Sequence, residues 1–244
     1  MNCFTASRGE GPVTFPETGD DAIESARERA RPTTRDSDLL GGLPEEEIEA
    51  LDSSSVFERA SRAEILFQED RTLAHLYVVS SGSFKLVRYS EEGREFIVDL
   101  AGRGDVFGAL AEPSIAAVAA RALEESTFLA VPVAAVRGAL ERNPALALRV
   151  VREAERRLRA AEIRAAGFAF ESVSRRLATL LLEATDRRSG LLRFPLNQSE
   201  LASFIGSSRE TVCSILNQLR RDGIVETLRG RVQVIDRRRL ESTS

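Results

Sequence analysis

Leu196-Asn197-Gln198-Ser199-Glu200-Leu201-Ala202-Ser203-Phe204-Ile205-Gly206-Ser207-Ser208-Arg209-Glu210-Thr211-Val212-Cys213-Ser214-Ile215-Leu216-Asn217-Gln218-Leu219 is the stretch that decides the reading of this chain. Leu201, Phe204 and Ile205 recur at helical spacing and give a first helix one apolar face. Asn197 stands at its start as a cap, with Glu200 three residues on to complete a capping box. Gly206 tolerates the positive φ that a tight turn demands. Ser207 or Ser208 then caps a second helix, whose Val212, Ile215, Leu216 and Leu219 form a buried stripe. The opposite face carries Arg209, Glu210, Cys213, Ser214 and Asn217. Two short helices about a tight turn, the second with an open polar face, make a helix-turn-helix. In that motif the start of the second helix meets base edges in the major groove of duplex DNA.

Arginine pairs bidentately with guanine O6 and N7, and glutamate accepts from cytosine N4. Arg209 and Glu210 are therefore the first candidates for base reading, with Cys213 and Ser214 on the same face. Ser207 to Glu210 also has capping-box spacing, so closing the helix start is the alternative role for Glu210. Cys213 reads as a small groove residue in preference to a redox sensor. After this helix, Arg220-Arg221-Asp222-Gly223 puts cations in a last turn and glycine at a stop. Ile224-Val225-Glu226 and Val232-Gln233-Val234-Ile235 then read as two strands about a Leu228-Arg229-Gly230-Arg231 turn. Such a hairpin is a wing, with Arg229 and Arg231 at its tip for phosphates.

The charge distribution agrees. The 244 residues carry a net charge of −4, which by itself argues against DNA. Residues 170–244, however, hold 13 arginines against 9 acidic residues, while residues 1–169 hold 21 basic and 29 acidic ones. A basic C-terminal part on an acidic body fits local phosphate attraction. The basic residues are arginines except for Lys85, which reads as genome composition. A length of 244 residues suits two domains and a connecting segment. No uninterrupted apolar run is long enough to span a membrane, and the first residues lack the apolar centre of a signal peptide. Two cysteines, Cys3 and Cys213, make neither a disulfide framework nor a metal cluster. The expected location is cytoplasmic.

Upstream, residues 1–35 read as a flexible tail. A short helix starts after Pro44 with Ile48 and Leu51 inward. From Ile65 to Val131 the pattern is of short strands with regular turns: Leu76–Val79, Ser83–Tyr89, Glu95–Leu100 and Thr127–Val131. That pattern predicts a barrel or roll over residues 36–143. Residues 144–169 form one long helix. Its Pro144, Ala147, Val151, Ala154, Leu158, Ala161, Ala165 and Phe168 alternate by three and four, an a/d seam. A two-helix coiled coil between copies of the chain would bury it; a helix lying on its own domain is the alternative. Gly167 could hinge the segment that follows. The whole is α+β, with the winged helix-turn-helix over residues 170–244.

The run Gly206 to Val212, with the wing, resembles the cyclic-AMP receptor protein / fumarate-nitrate reduction regulator family of bacterial transcription factors. Leu76-Tyr77-Val78-Val79-Ser80-Ser81-Gly82 and Gly104-Asp105-Val106-Phe107-Gly108 resemble its effector-binding β-roll, so the likeness spans about residues 38–240. It implies that Arg209 and Glu210 are the base-reading pair and that Asn197, Gln198, Ser208 and Thr211 meet phosphates. Ser214 stands where many members carry a third base-reading arginine. The resemblance also implies a homodimer on a pseudo-palindromic site. Activation would add RNA polymerase as a partner, whereas repression needs only occlusion of a promoter.

Members that bind cyclic AMP place glutamate after the glycine of the Gly-Asp-x-x-Gly bend, and an Arg-Ser/Thr pair some ten residues later. Here Gly108 is followed by Ala109 and Leu110. The segment Ser114 to Ala120 has no arginine; Arg121 comes late. The long helix has no Ser or Thr for an adenine edge. Cyclic-AMP control is therefore not expected, and the effector pocket is degenerate. An iron-sulfur cluster needs about four cysteines, and His75, the sole histidine, reads as structural rather than as a haem ligand. A group of Phe84, Val98, Leu100, Phe107 and Leu110 is either a modified pocket or core. No cofactor and no metal are expected. A ligand-sensing subunit that acts on a protein partner is the alternative function. An enzyme has no support, since no Walker loop, dinucleotide fingerprint or metal-ligand spacing occurs.

Overall fold

A computed structural model describes residues 32–228 and 231–243. Alternating apolar residues between Val56 and Pro132 produce strands that close into a β-roll of two antiparallel sheets. One sheet has the order β1-β10-β4-β7, from β1 (Val56–Ala60), β4 (His75–Ser81), β7 (Val106–Gly108) and β10 (Ser126–Pro132). The second has the order β2-β9-β5-β6, from β2 (Ile65–Phe67), β5 (Ser83–Tyr89), β6 (Glu95–Gly102) and β9 (Ala119–Ala122). β3 (Thr72–Leu73) and β8 (Ser114–Ile115) pair separately. Phe84, Phe107 and Phe128 fill the space between the sheets, with Phe84 and Phe128 edge to face at 5.6 Å. Leu76, Val78, Leu129 and Val131 point the other way, onto α1 (Glu45–Ser54) and α2 (Val133–Arg142). Ile48 and Leu51 of α1 are buried there, as their spacing implies.

Asn143 caps α3 (Pro144–Phe170), with proline in the first turn, where a missing N–H costs nothing. The helix continues through the buried Gly167, so no hinge forms there. The bend falls at Glu171 and Ser172, and Ser172 caps α4 (Val173–Ala184). α5 (Gln198–Ile205), α6 (Arg209–Arg221), β11 (Val225–Leu228), β12 (Arg231–Val234) and α7 (Arg237–Thr243) follow. Their core joins Leu177 and Leu181 to Leu201, Val212, Leu216, Val232 and Leu240. Of the expected tail, residues 1–31, with Cys3, lie outside the described residues. Its end is fixed rather than free: Thr34 is buried and its N–H donates to Asp52 Oδ1 at 2.7 Å. The short Thr34–Asp36 turn lies on α1 by that bond.

The Gly206 turn behaves as its sequence implies, with φ at +62°. It is also tight, because a Cβ there would come within 2.9 Å of the Phe168 ring. On α3, Glu153 bonds Arg156 at 2.7 Å and Arg157 at 2.6 Å, and Arg157 also donates to the Val106 carbonyl at 2.6 Å, tying the helix to β7.

Gly206→Ala is expected to cost about 1–2 kcal/mol from the left-handed backbone alone, and more because Phe168 must move; urea unfolding measures it. The hydrogen-bonded Arg156, with Arg157 beside it, holds the Glu153 carboxyl at about 2, down from an ordinary 4.5. This folded-state value is depressed, so its stabilisation is complete above about pH 4.5 and disappears as pH falls toward 2. Glu153→Gln is expected to lose roughly 1–2 kcal/mol near neutral pH at this partly screened site. The gap to the native chain should narrow in unfolding curves taken at pH 3.

Candidate nucleic-acid interface

The interface begins at the cap of α5. Asn197 Oδ1 accepts from the backbone N–H of Ser199 at 2.8 Å and of Glu200 at 3.0 Å, and Glu200 Oε2 accepts from Asn197 N–H at 2.8 Å. The box thus satisfies donors that a helix start leaves open. Asn197 is exposed and Gln198 half-buried at the same end. Past Gly206, Ser207 N–H donates to the Ala202 carbonyl and closes α5, which leaves Ser208 as the cap of α6. Ser208 Oγ accepts from Thr211 N–H at 3.1 Å and lies 3.0 Å from Thr211 Oγ1. With Ser208 as cap, the third helical position is Thr211. Glu210 is thereby outside the capping-box position that a Ser207 cap would have given it.

Arg209, Glu210 and Ser214 stand exposed on one face of α6. Cys213 lies among them but is half-buried, and its Sγ accepts from Asn217 Nδ2 at 3.6 Å. Val212, Leu216 and Leu219 are buried on the opposite face; Ile215 is partly so. The first turn of α6 thus presents a guanidinium and a carboxylate side by side, on a helix anchored from behind.

The wing is longer than its sequence suggests. β11 and β12 pair from Val225 with Val234 up to Leu228 with Arg231. Leu228 and Arg231, read above as turn residues, are the last rung of the hairpin. Arg229 and Gly230 lie outside the described residues. Arg231 is directed to the β-roll, its Nη2 3.9 Å from Glu124 Oε2, rather than standing at a free tip. Ile224 and Ile235 lie outside the strands, and the Ile224 carbonyl accepts from Ile235 N–H.

The β-roll contacts this domain along β5 and β6. Phe204 of α5 packs, as Leu100 does, on the cluster of Val87, Ile97 and Ala119. Arg164 of α3 stacks over Phe204 at 5.4 Å, and Phe168 meets Phe96 at 5.5 Å. Phe168 therefore has contacts within its own chain beside its place on the seam. Val151, Ala154, Leu158, Ala161 and Ala165 are exposed, and Phe168, also exposed at 39%, in addition contacts Phe96, Arg176 and the Gly206 turn of its own chain. Sequence reading missed this junction, including Glu95, Phe96 and Glu124. Its one visible signal was Lys85, a lone lysine between the apolar Phe84 and Leu86.

At the effector position, Gly108 has φ +99°, and a Cβ there would lie 2.6 Å from the His75 carbonyl. Ala109 is buried with Leu73, Ala116 and Val133, and Phe67 lies against them. Leu110 turns instead to the α1–α2 side, and Ser114 is exposed on β8. Arg121 donates Nε to the Ala63 carbonyl at 2.8 Å. The group Phe84, Val98, Leu100, Phe107 and Leu110 lines no common cavity: Phe84 and Phe107 are roll core, while Leu100 faces α5. His75 rests on Tyr77 at 6.2 Å. A cleft of about 740 Å³ lies between α3, β6 and α4, with Arg149, Arg152 and Arg156 opposite Asp99 and Asp105. Burial raises the Asp105 carboxyl above its usual range. Among the described residues no three His, Cys, Asp or Glu side chains are grouped to hold a metal, and no helix is long and apolar enough to cross a membrane.

Two family models match the chain, the cyclic nucleotide-binding domain over residues 57–143 and the Crp-like helix-turn-helix domain over residues 175–243. The cyclic AMP receptor protein of Thermus thermophilus is 32% identical over 210 residues, covering 84% of this chain and 95% of its own length. The CRP-like cAMP-activated global transcriptional regulator of Mycobacterium tuberculosis is 29% identical over 187 residues, covering 73% of this chain and 84% of its own. The structure of FixK2 from Bradyrhizobium japonicum superposes with a TM-score of 0.72 at 25% identity, over 78% of this chain and 97% of that one. These relatives are transcription regulators, not enzymes. With a cyclic nucleotide-binding-type roll, a long helix and a Crp-like helix-turn-helix in this order, the chain belongs to the CRP/FNR family of DNA-binding transcription regulators.

Proposed function

We propose that this regulator binds a pseudo-palindromic duplex site as a homodimer and does so without control by cyclic AMP. The exposed first turn of α6 carries the reading. There Arg209 and Glu210 contact base edges, with Ser214 and the half-buried Cys213 one turn on. Asn197, Gln198, Ser208 and Thr211 meet phosphates from two helix starts, where backbone N–H groups favour anions. Arg229 and Arg231 extend the phosphate contacts from the wing, which for Arg231 requires leaving Glu124.

The dimer reading is supported by α3. Val151 and Leu158 are 52% and 61% exposed, a cost in water that a second copy of the helix removes. The alanines between them allow close approach. The reading on cyclic AMP rests on the residues at the effector position. Ala109 offers no carboxylate to a ribose hydroxyl and is buried with Leu73, Ala116 and Val133, and Arg121 is engaged at Ala63. The relatives' names speak of cyclic AMP, but these residues do not supply its partners.

Selection from a random duplex pool, with and without cyclic AMP, tests the proposal. Enrichment of one inverted repeat in both arms is the expected outcome; enrichment only with the nucleotide would refute the effector reading. Arg209→Ala should cost about 1–3 kcal/mol on the selected site and relax one base position. Leu158→Glu should give a folded monomer by sedimentation, with affinity reduced to that of a single half-site.

A further inference from the structure

Lys85 is the sole lysine among 34 basic residues, and it is buried where the β-roll meets the helix-turn-helix. Its Nζ donates to Glu95 Oε1 on β6 at 2.6 Å and lies 3.5 Å from Glu200 Oε1 on α5. The other oxygen of Glu200 closes the capping box on Asn197. One carboxylate thus holds both the start of α5 and the ammonium of β5. Beside it, Ser203 Oγ donates to the Glu95 carbonyl at 2.5 Å. Around it lie apolar contacts, Phe204 on Val87 and Ile97 and Phe96 on Phe168, while the solvent-accessible Arg231–Glu124 pair joins the wing to the roll farther off.

These two kinds of contact determine different things. Apolar burial is non-directional and leaves α5 free to slide on the sheet. A buried ammonium between two carboxylates demands one geometry, because displacement leaves charge without partner or water. A compact ammonium with three donors can bridge carboxylates on separate elements; the planar guanidinium fork instead matches one carboxylate bidentately. This accounts for lysine at the one place where the chain departs from arginine.

We infer that Lys85 is a positioning residue for DNA recognition: through Glu95 and Glu200 it sets the angle at which each helix-turn-helix is held on its β-roll, and thereby the half-site spacing a dimer accepts. The inference rests on the homodimer reading above. Each added base pair turns one half-site by about 35° relative to the other, so a rigid mounting discriminates between spacers.

Glu200→Gln keeps an oxygen for Asn197 N–H, and so the cap, but removes the second carboxylate from Lys85. Lys85→Met removes the ammonium at similar length. Affinity is measured for the selected inverted repeat, for versions with the spacer one base pair longer or shorter, and for a single half-site; thermal melting confirms the fold. The native chain is expected to disfavour altered spacers by about tenfold, on the scale of one mismatched base pair. Glu200→Gln should reduce that discrimination at least about threefold, with half-site affinity held within about twofold. Lys85→Met should reduce it further. Spacer discrimination equal to native in Glu200→Gln overturns the inference and leaves the dimer standing. A native chain indifferent to spacing likewise overturns the inference alone, whereas one that binds the inverted repeat no better than the single half-site overturns both.

Discussion

Strand β5 is covered on both faces, and the arrangement of the molecule depends on that constraint. Phe84 and Leu86 face the aromatic interior of the roll, while Lys85 and Val87 face outward and are equally buried. A roll alone would leave this second face in water. α5 of the helix-turn-helix covers it, so the DNA-binding domain completes the surface of the body instead of hanging from the end of α3. The two-residue bend at Glu171 and Ser172 then serves as the backbone link of a joint whose surfaces lie elsewhere.

Local elements were legible in the sequence because their causes are local. The Asn197–Glu200 box, the Gly206 turn, the α6 stripe and the start of α3 after Asn143 each depend on residues within a turn or two. The roll was legible as a class, from alternation and turns. The joint was not, since Lys85 and Glu200 are 115 positions apart in the sequence, and nothing in either neighbourhood names the other. Phe168 shows the same effect. Its heptad spacing places it on the seam with Leu158, and the bend that follows also brings the Gly206 turn and Phe96 within reach of its ring, contacts that no local spacing announces.

The wing illustrates a smaller shift. The strand pattern in the sequence stops at Glu226 and resumes at Val232, yet pairing continues to Leu228 and Arg231, since a hairpin adds rungs until its backbone must turn. Arg231 thereby leaves the tip and meets Glu124, where the basic domain borders the acidic body. The charge asymmetry seen in the composition is thus also an attraction between the two parts of the chain.

Lys85 has a chemical consequence unrelated to recognition. It supplies the only ε-amine in the protein, and its side chain is 8% exposed. Acylating reagents that decorate most proteins at many points have one such target here, and it is shielded while the joint is closed. The rate of acylation at this amine therefore reports how often the two parts of the chain separate, a built-in clock for opening that requires no introduced probe.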